Sequence, residues 1–222
     1  MDAVYILGKG SQAGNAELRY SVRSIDYFMY DLNSVYIVGE DAGFLPSATH
    51  IPCADAHAEG WKNTYAKVRK ACEDPRISET FLLLNDDFFM LGGFMAAEWP
   101  NFAIKGANGG TCGAHAFQIH APIQITKALF LKMPFSLDQK ACRSWRSFYC
   151  NIYGMPPVFV DDVIVNYFPG RGTFDEQTEG KEFFSIADEM MLDEQFTEWL
   201  QDKYPDRSRF ELQNTPDLDR SR

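Results

Sequence analysis

With 222 residues, 45% of them hydrophobic and 14% aromatic, the chain can bury one substantial core but not several, so a single domain is expected. No run approaches the ~18 apolar residues needed to cross a bilayer, and Met1-Asp2-Ala3 leads straight into a strand-like run without a basic leader, which points to a cytoplasmic chain. A net charge of −10 argues against indiscriminate binding to nucleic acid or anionic membrane and suits the capture of cations.

Ala3-Val4-Tyr5-Ile6-Leu7 reads as a buried first strand, ended by the turn Gly8-Lys9-Gly10-Ser11. A helix follows from Asn15, expected as its N-cap, because Leu18, Val22, Ile25 and Met29 recur at helical spacing, with Arg19, Arg23 and Asp26 on the flank of that stripe. Val35-Tyr36-Ile37-Val38 is a second strand, and strand, helix, strand is the unit that builds parallel sheets. Trp61, Tyr65, Val68 and Cys72 mark another helix, leading into the strand that starts at Phe81. The spacing thus predicts an α/β domain over residues 1–213 with a polar, frayed tail over 214–222.

Phe81-Leu82-Leu83-Leu84-Asn85-Asp86-Asp87-Phe88-Phe89-Met90 places two carboxylates inside one of the most apolar stretches of the chain. Carboxylates so placed either take up a proton or meet a cation. At the carboxyl end of a buried parallel strand, where open α/β sheets bind ligands, hard oxygen donors suit Mg²⁺ or Mn²⁺, so Asp86 and Asp87 are candidate metal ligands. The competing reading is a plain turn, which would leave Phe88, Phe89 and Met90 in an exposed loop.

Beyond this point Lys105-Gly106-Ala107-Asn108-Gly109-Gly110-Thr111 reads either as a mobile active-site loop or as a linker. A helix is expected over 139–152, with Lys140, Arg143 and Arg146 on a basic face that is either solvated or a phosphate seat. Val158-Phe159-Val160-Asp161-Asp162-Val163-Ile164-Val165 repeats the acidic pair among apolar residues, which makes Asp161 and Asp162 candidates for a base or a second pair of metal ligands. The final helix centres on Phe196, Trp199 and Leu200.

Other signals are weaker. Gly8, Lys9 and Gly10, between strand and helix, sit where backbone N–H groups hold phosphate, although the order is not that of a Walker loop and Ala13 stands where the dinucleotide fingerprint needs glycine. Arg19 and Arg23, four apart, have the forked donors to clamp a diphosphate, or else are solvated and neutralised by Asp26 and Glu17. Of four histidines, His120 best suits acid/base work, against a structural role. Five cysteines without Cys-x-x-Cys predict buried thiols, with neither a disulfide framework nor a zinc site.

Glu17-Leu18-Arg19-Tyr20-Ser21-Val22-Arg23-Ser24-Ile25, Val35-Tyr36-Ile37-Val38 and Ser78-Glu79-Thr80-Phe81-Leu82-Leu83-Leu84-Asn85-Asp86-Asp87-Phe88-Phe89 together resemble the second region of the Stealth family of sugar-phosphate transferases. His120-Ala121-Pro122 resembles that family's later histidine region. The resemblance implies a GT-A-like, Rossmann-type fold whose mostly parallel sheet is flanked by helices. It also implies a nucleotide-sugar donor, foremost a UDP-sugar, a divalent metal at Asn85-Asp86-Asp87, and a hydroxyl acceptor. That acceptor is a glycan, or a modified DNA base if Lys62, Lys67, Lys140, Arg143 and Arg146 form a basic groove. On this reading Arg19 and Arg23 assist the departing nucleotide, and Asp161, Asp162 or His120 takes the acceptor's proton. Two departures, a first strand ending in Leu7-Gly8-Lys9-Gly10 without the family's Asp-Gly or Asn-Gly and a short chain, favour glycosyl transfer over sugar-1-phosphate transfer. A non-catalytic carbohydrate-binding protein is the alternative from another class.

Overall fold

The computed structural model describes residues 1–9, 11–118, 120–138, 142–161, 164–165 and 172–211. In chain order the elements are β1 (Asp2–Leu7), α1 (Ala16–Phe28), β2 (Val35–Gly39), β3 (Thr49–Pro52), α2 (Gly60–Glu73), β4 (Thr80–Leu84), β5 (Phe88–Met90), β6 (Asn101–Ile104), β7 (Ile123–Thr126), α3 (Lys127–Lys132), α4 (Trp145–Ile152), β8 (Pro157–Val160), β9 (Ile164–Val165), α5 (Phe174–Thr178), β10 (Phe183–Ile186) and α6 (Glu194–Lys203).

Five strands form the central sheet in the order β3-β2-β1-β4-β7, parallel throughout except for the edge strand β7. Helices cover both faces, which is why the inner strands carry nearly continuous apolar runs. Alternate residues divide between the layers. Ala3, Tyr5, Leu7, Leu82 and Leu84 pack under Leu18, Val22 and Ile25 of α1. Val4, Val38, Phe81 and Leu83 face Tyr65, Val68 and Cys72 of α2 and the aromatic group of Phe130, Trp145 and Tyr149. The fold is therefore the mixed α/β domain with a mostly parallel, helix-flanked sheet that the sequence predicts.

The register brings the functional edge together. Leu7 stands beside Gly39 and Tyr5 beside Leu84, so the turn after β1 and Asn85-Asp86-Asp87 after β4 emerge side by side. Gly39 is required there, because at its φ of 130° a Cβ would overlap the Leu7 carbonyl.

After the acidic pair the chain turns and yet stays buried, so the choice posed by the sequence between a turn and a buried run was not a real one. Phe88, Phe89 and Met90 are fully buried because β5 enters a second sheet, order β5-β10-β9, where Phe89 stacks on Phe184 at 4.9 Å. The opposite side of β5 is held by α1: Ser21 Oγ donates to the Phe88 carbonyl (2.5 Å) and Ser24 Oγ accepts from Met90 N (3.0 Å). The acidic turn is thus bracketed by two well-buried strands, one in each sheet.

Several local expectations are corrected. Asn15 does occupy the N-cap position of α1, but in a left-handed conformation and without a capping side-chain bond; its N–H instead donates to Ser11 Oγ. The helix expected over 139–152 starts at Trp145, because Ser144 caps it through Ser147 N; residues 139–141 lie outside the described part. Cys112 and Cys142 form a disulfide, and Cys53, Cys72 and Cys150 are free thiols, burial pushing Cys72 and Cys150 up to about 12. The glycine-rich stretch from Lys105 is tied down by that bond and by Asn151, whose Nδ2 donates to the carbonyls of Cys112 and His115. The pairing corrects the expectation that the cysteines are all buried thiols. Among the described residues no helix is long and apolar enough to cross a membrane.

Candidate active site

Asp86 and Asp87 lie at the carboxyl edge of the central sheet, half-buried. His120 Nδ1 donates to Asp87 Oδ2 at 2.7 Å, fixing the ring's tautomer and the rotation of the carboxylate. The other oxygen, Asp87 Oδ1, is buried without a hydrogen-bond partner. A buried carboxylate oxygen left so calls for a partner that the described residues do not supply. Among the described residues no three His, Cys, Asp or Glu side chains gather into a complete metal cage. Two adjoining carboxylates, one with an orphaned oxygen, nonetheless fit an ion such as Mg²⁺, which takes one or two carboxylates and completes its shell with water and substrate phosphate.

A cavity of about 200 Å³ opens on this pair, lined also by Gly8, Lys9, Ser11, Gln12 and Glu17. The turn after β1 therefore does border the acidic pair. It is less open to phosphate than the sequence suggested, since Lys9 N donates to Asp55 Oδ2 (3.3 Å) and the Lys9 ammonium lies 3.7 Å from Glu40. Asp55 in turn holds the buried Lys67 at 2.5 Å. Burial alone would raise the Asp55 pKa, but its bonds to Lys67 and Lys9 outweigh burial and lower it. Gly10 lies outside the described residues.

On the other side of Asp86 lies a larger cavity, about 510 Å³, lined by Ile6, Trp61, Thr64, Asn85, Arg143, Ser144, Trp145 and Arg146. Arg146 was read as part of a basic helix face, yet it is buried. Its guanidinium donates to the carbonyls of Gln118 (3.2 Å) and Ala121 and approaches Asn85 Oδ1 at 3.5 Å. Burial lowers its pKa to about 10, with Cys150 and Asp87 acting in the opposite sense. Arg146 thus ties the segment carrying His120 to the end of β4. Sequence reasoning missed this role, and the available signal was position 146 falling beside the apolar stripe of α4.

Arg19 and Arg23 do not form the expected diphosphate clamp. Both are buried against Glu211: Arg23 Nε donates at 2.9 Å, its Nη2 at 3.2 Å and Arg19 Nη1 at 3.5 Å. Neither Asp26 nor Glu17 is the partner expected for them, for Asp26 pairs with Arg209 and Glu17 lines the smaller cavity. Asp161 is exposed after β8, where Val158 and Phe159 are themselves about half exposed at 45% and 51%, so the burial argument fails for Asp161. Asp162 lies outside the described residues. The basic groove is not assembled either: Lys62 pairs with Glu59, Lys67 with Asp55, Arg146 is buried, and Lys140 lies outside the described residues.

No known family model matches the chain, and no curated protein matches it in sequence. Its fold is similar to those of solved glycosyltransferases. A galactosyltransferase, LgtC, solved in complex with donor and acceptor sugar analogs, superposes with a TM-score of 0.53 at 10% identity, over 91% of this chain and 96% of that one. The active-site mutant Q189E of LgtC gives 0.48 at 9% identity over 84% and 87% of the two chains. The apo-form glycosyltransferase GlyE of Streptococcus pneumoniae TIGR4 gives 0.41 at 11% identity, over 71% of this chain and 44% of that one.

Proposed function

We propose that the protein is a metal-dependent glycosyltransferase that moves a sugar from a nucleotide-sugar donor to a hydroxyl acceptor. The observation that carries this reading is the divided carboxylate of Asp87, with one oxygen held by His120 and the other buried and unpartnered beside Asp86. Shared fold with a galactosyltransferase captured with donor and acceptor sugar analogs supports it.

In this reading Asp87 Oδ1 and Asp86 hold Mg²⁺ or Mn²⁺, which when bound supplies Lewis-acid neutralisation of the donor diphosphate. His120 keeps Asp87 oriented, and Arg146 keeps His120 and Asn85 in place. His120 is also the titratable group at the acidic pair best suited to take the proton of the acceptor hydroxyl; exposed Asp161 is not required.

The deciding experiment incubates the protein with a panel of UDP-sugars and Mn²⁺ and follows the released nucleotide. Metal-dependent release of UDP, lost in Asp87→Asn with the circular dichroism spectrum unchanged, is the expected result. Release of UMP instead would assign sugar-1-phosphate transfer, and saccharide binding without any release would assign a carbohydrate-binding protein.

A further inference from the structure

Resting on that reading, we infer that the larger cavity is the acceptor subsite and that it selects a saccharide bearing an anionic group. Asp86 is the one residue that lines both cavities, so the two open on either side of a single carboxylate. The smaller space, about 200 Å³, holds the glycine turn and the acidic pair and leaves little room beyond a diphosphate and its cation. The larger, about 510 Å³, falls in the range of sites that take ligands of a few rings.

Its walls define what enters. Trp61, in the first turn of α2, offers an aromatic surface suited to the C–H face of a sugar, while Trp145, also on the lining, is itself buried. Among the described residues the buried Trp61 indole N–H has no hydrogen-bond partner. Arg143 stands exposed on the lining and, among the described residues, makes no ion pair or hydrogen bond. A forked guanidinium in that position recognises a carboxylate or phosphate. The same lining carries Asp86 and Asn85, which suit hydroxyl groups. The inferred mode of binding sets the hydroxyl groups of a ligand against Asp86 and Asn85 and its anionic substituent against Arg143.

The test measures binding of methyl β-D-glucuronide, glucose 6-phosphate and uncharged methyl β-D-glucoside by saturation-transfer NMR, alongside Mn-UDP titration by calorimetry. The proteins are wild type, Arg143→Gln and Trp61→Phe, each with its Tm checked. The charged probes are expected to bind wild type about tenfold more tightly than the glucoside, and Arg143→Gln to erase that preference. Trp61→Phe should weaken all three about threefold while Mn-UDP affinity stays unchanged in both variants. Preference for the glucuronide over the phosphate, or the reverse, identifies the anion. Equal binding of charged and uncharged probes overturns the inference, as does a loss of Mn-UDP affinity in Arg143→Gln, which would give this cavity to the nucleotide. An Arg143-dependent preference in a protein that binds no Mn-UDP would retain the anionic-saccharide site and overturn the transferase reading alone.

Discussion

Asp86-Asp87 and Asp161-Asp162 are the same pattern on paper, an acidic pair between apolar runs, but the runs do different work. Before Asp86 they form β4, the interior strand of a sheet covered on both faces, and after Asp87 they form β5, clamped by α1. Before Asp161 they form β8, which among the described residues pairs with β6 alone and leaves Phe159 half exposed. An apolar neighbour in sequence therefore desolvates an acid only when its strand has partners on both sides. A third acid, Glu211, completes the series: Asp161 is solvated, Glu211 is buried with two arginines, and Asp87 is half-buried with one oxygen satisfied and one not.

The sharpest way to break this contrast is Asp87→Asn against Asp161→Asn. The first is expected to lower kcat/KM by about 10⁴, roughly 5.5 kcal/mol of transition-state stabilisation, with little change in Tm. The second is expected to change kcat/KM by less than about threefold. Steady-state kinetics with one UDP-sugar decides between them, and a large effect at Asp161 would return the base to that residue.

Glu211 tests the buried extreme. Truncation to Ala removes the carboxylate that the buried Arg19 and Arg23 share, and is expected to cost about 3–5 kcal/mol by urea denaturation. Glu211→Gln, which keeps part of the hydrogen bonding, should cost less. A negligible effect of Glu211→Ala would mean that the arginines reach water and that the acid's partners do not govern its burial.

What the residues disclosed in advance follows the same logic of range. β1, β2, β4, α1 and α2 were legible because each writes its own period, and their alternation fixes a parallel sheet and the edge where Asp86 and Asp87 emerge. The β5-β10 pairing, the Arg23–Glu211 contact across 188 positions and the Cys112–Cys142 bond across 30 have no local period, so nothing near either partner announced them. Arg19 and Arg23 illustrate the cost: the forked donors were read correctly, but their acid lay almost a full chain length away. α4 errs in the other direction, since Lys140 and Arg143 continue its spacing but Ser144 intercepts the helix by capping it.

A smaller effect separates orientation from chemistry at the site itself. His120→Gln retains a donor toward Asp87 Oδ2 but cannot take a proton, and is expected to lower kcat about 10- to 100-fold with UDP affinity intact. His120→Ala should also weaken Mn²⁺ binding by about tenfold, because Asp87 is no longer held. Equal Mn²⁺ affinity in both variants would separate the imidazole from the carboxylate it contacts.

The smallest expected effect lies at the exposed end of the series, where a strong pairing still yields little stability. Asp74 accepts two bonds from the Arg76 side chain, at 2.9 and 2.6 Å, and the Arg76 side chain holds its carboxyl down to about 2 despite the opposing cost of burial. An acid depressed in the folded state stabilises the fold above its unfolded pKa of about 3.9, and that contribution is lost as pH falls through about 2. Because Arg76 is 55% exposed, water and salt screen the pair, and Asp74→Asn should cost only about 0.5 kcal/mol at pH 7. The difference between wild type and variant should shrink toward zero in urea titrations taken from pH 5 down to pH 2. A difference that persists at low pH would mean that Asp74 acts through its bond to the Arg76 backbone N–H, which Asn preserves only in part, and that charge contributes nothing at this position.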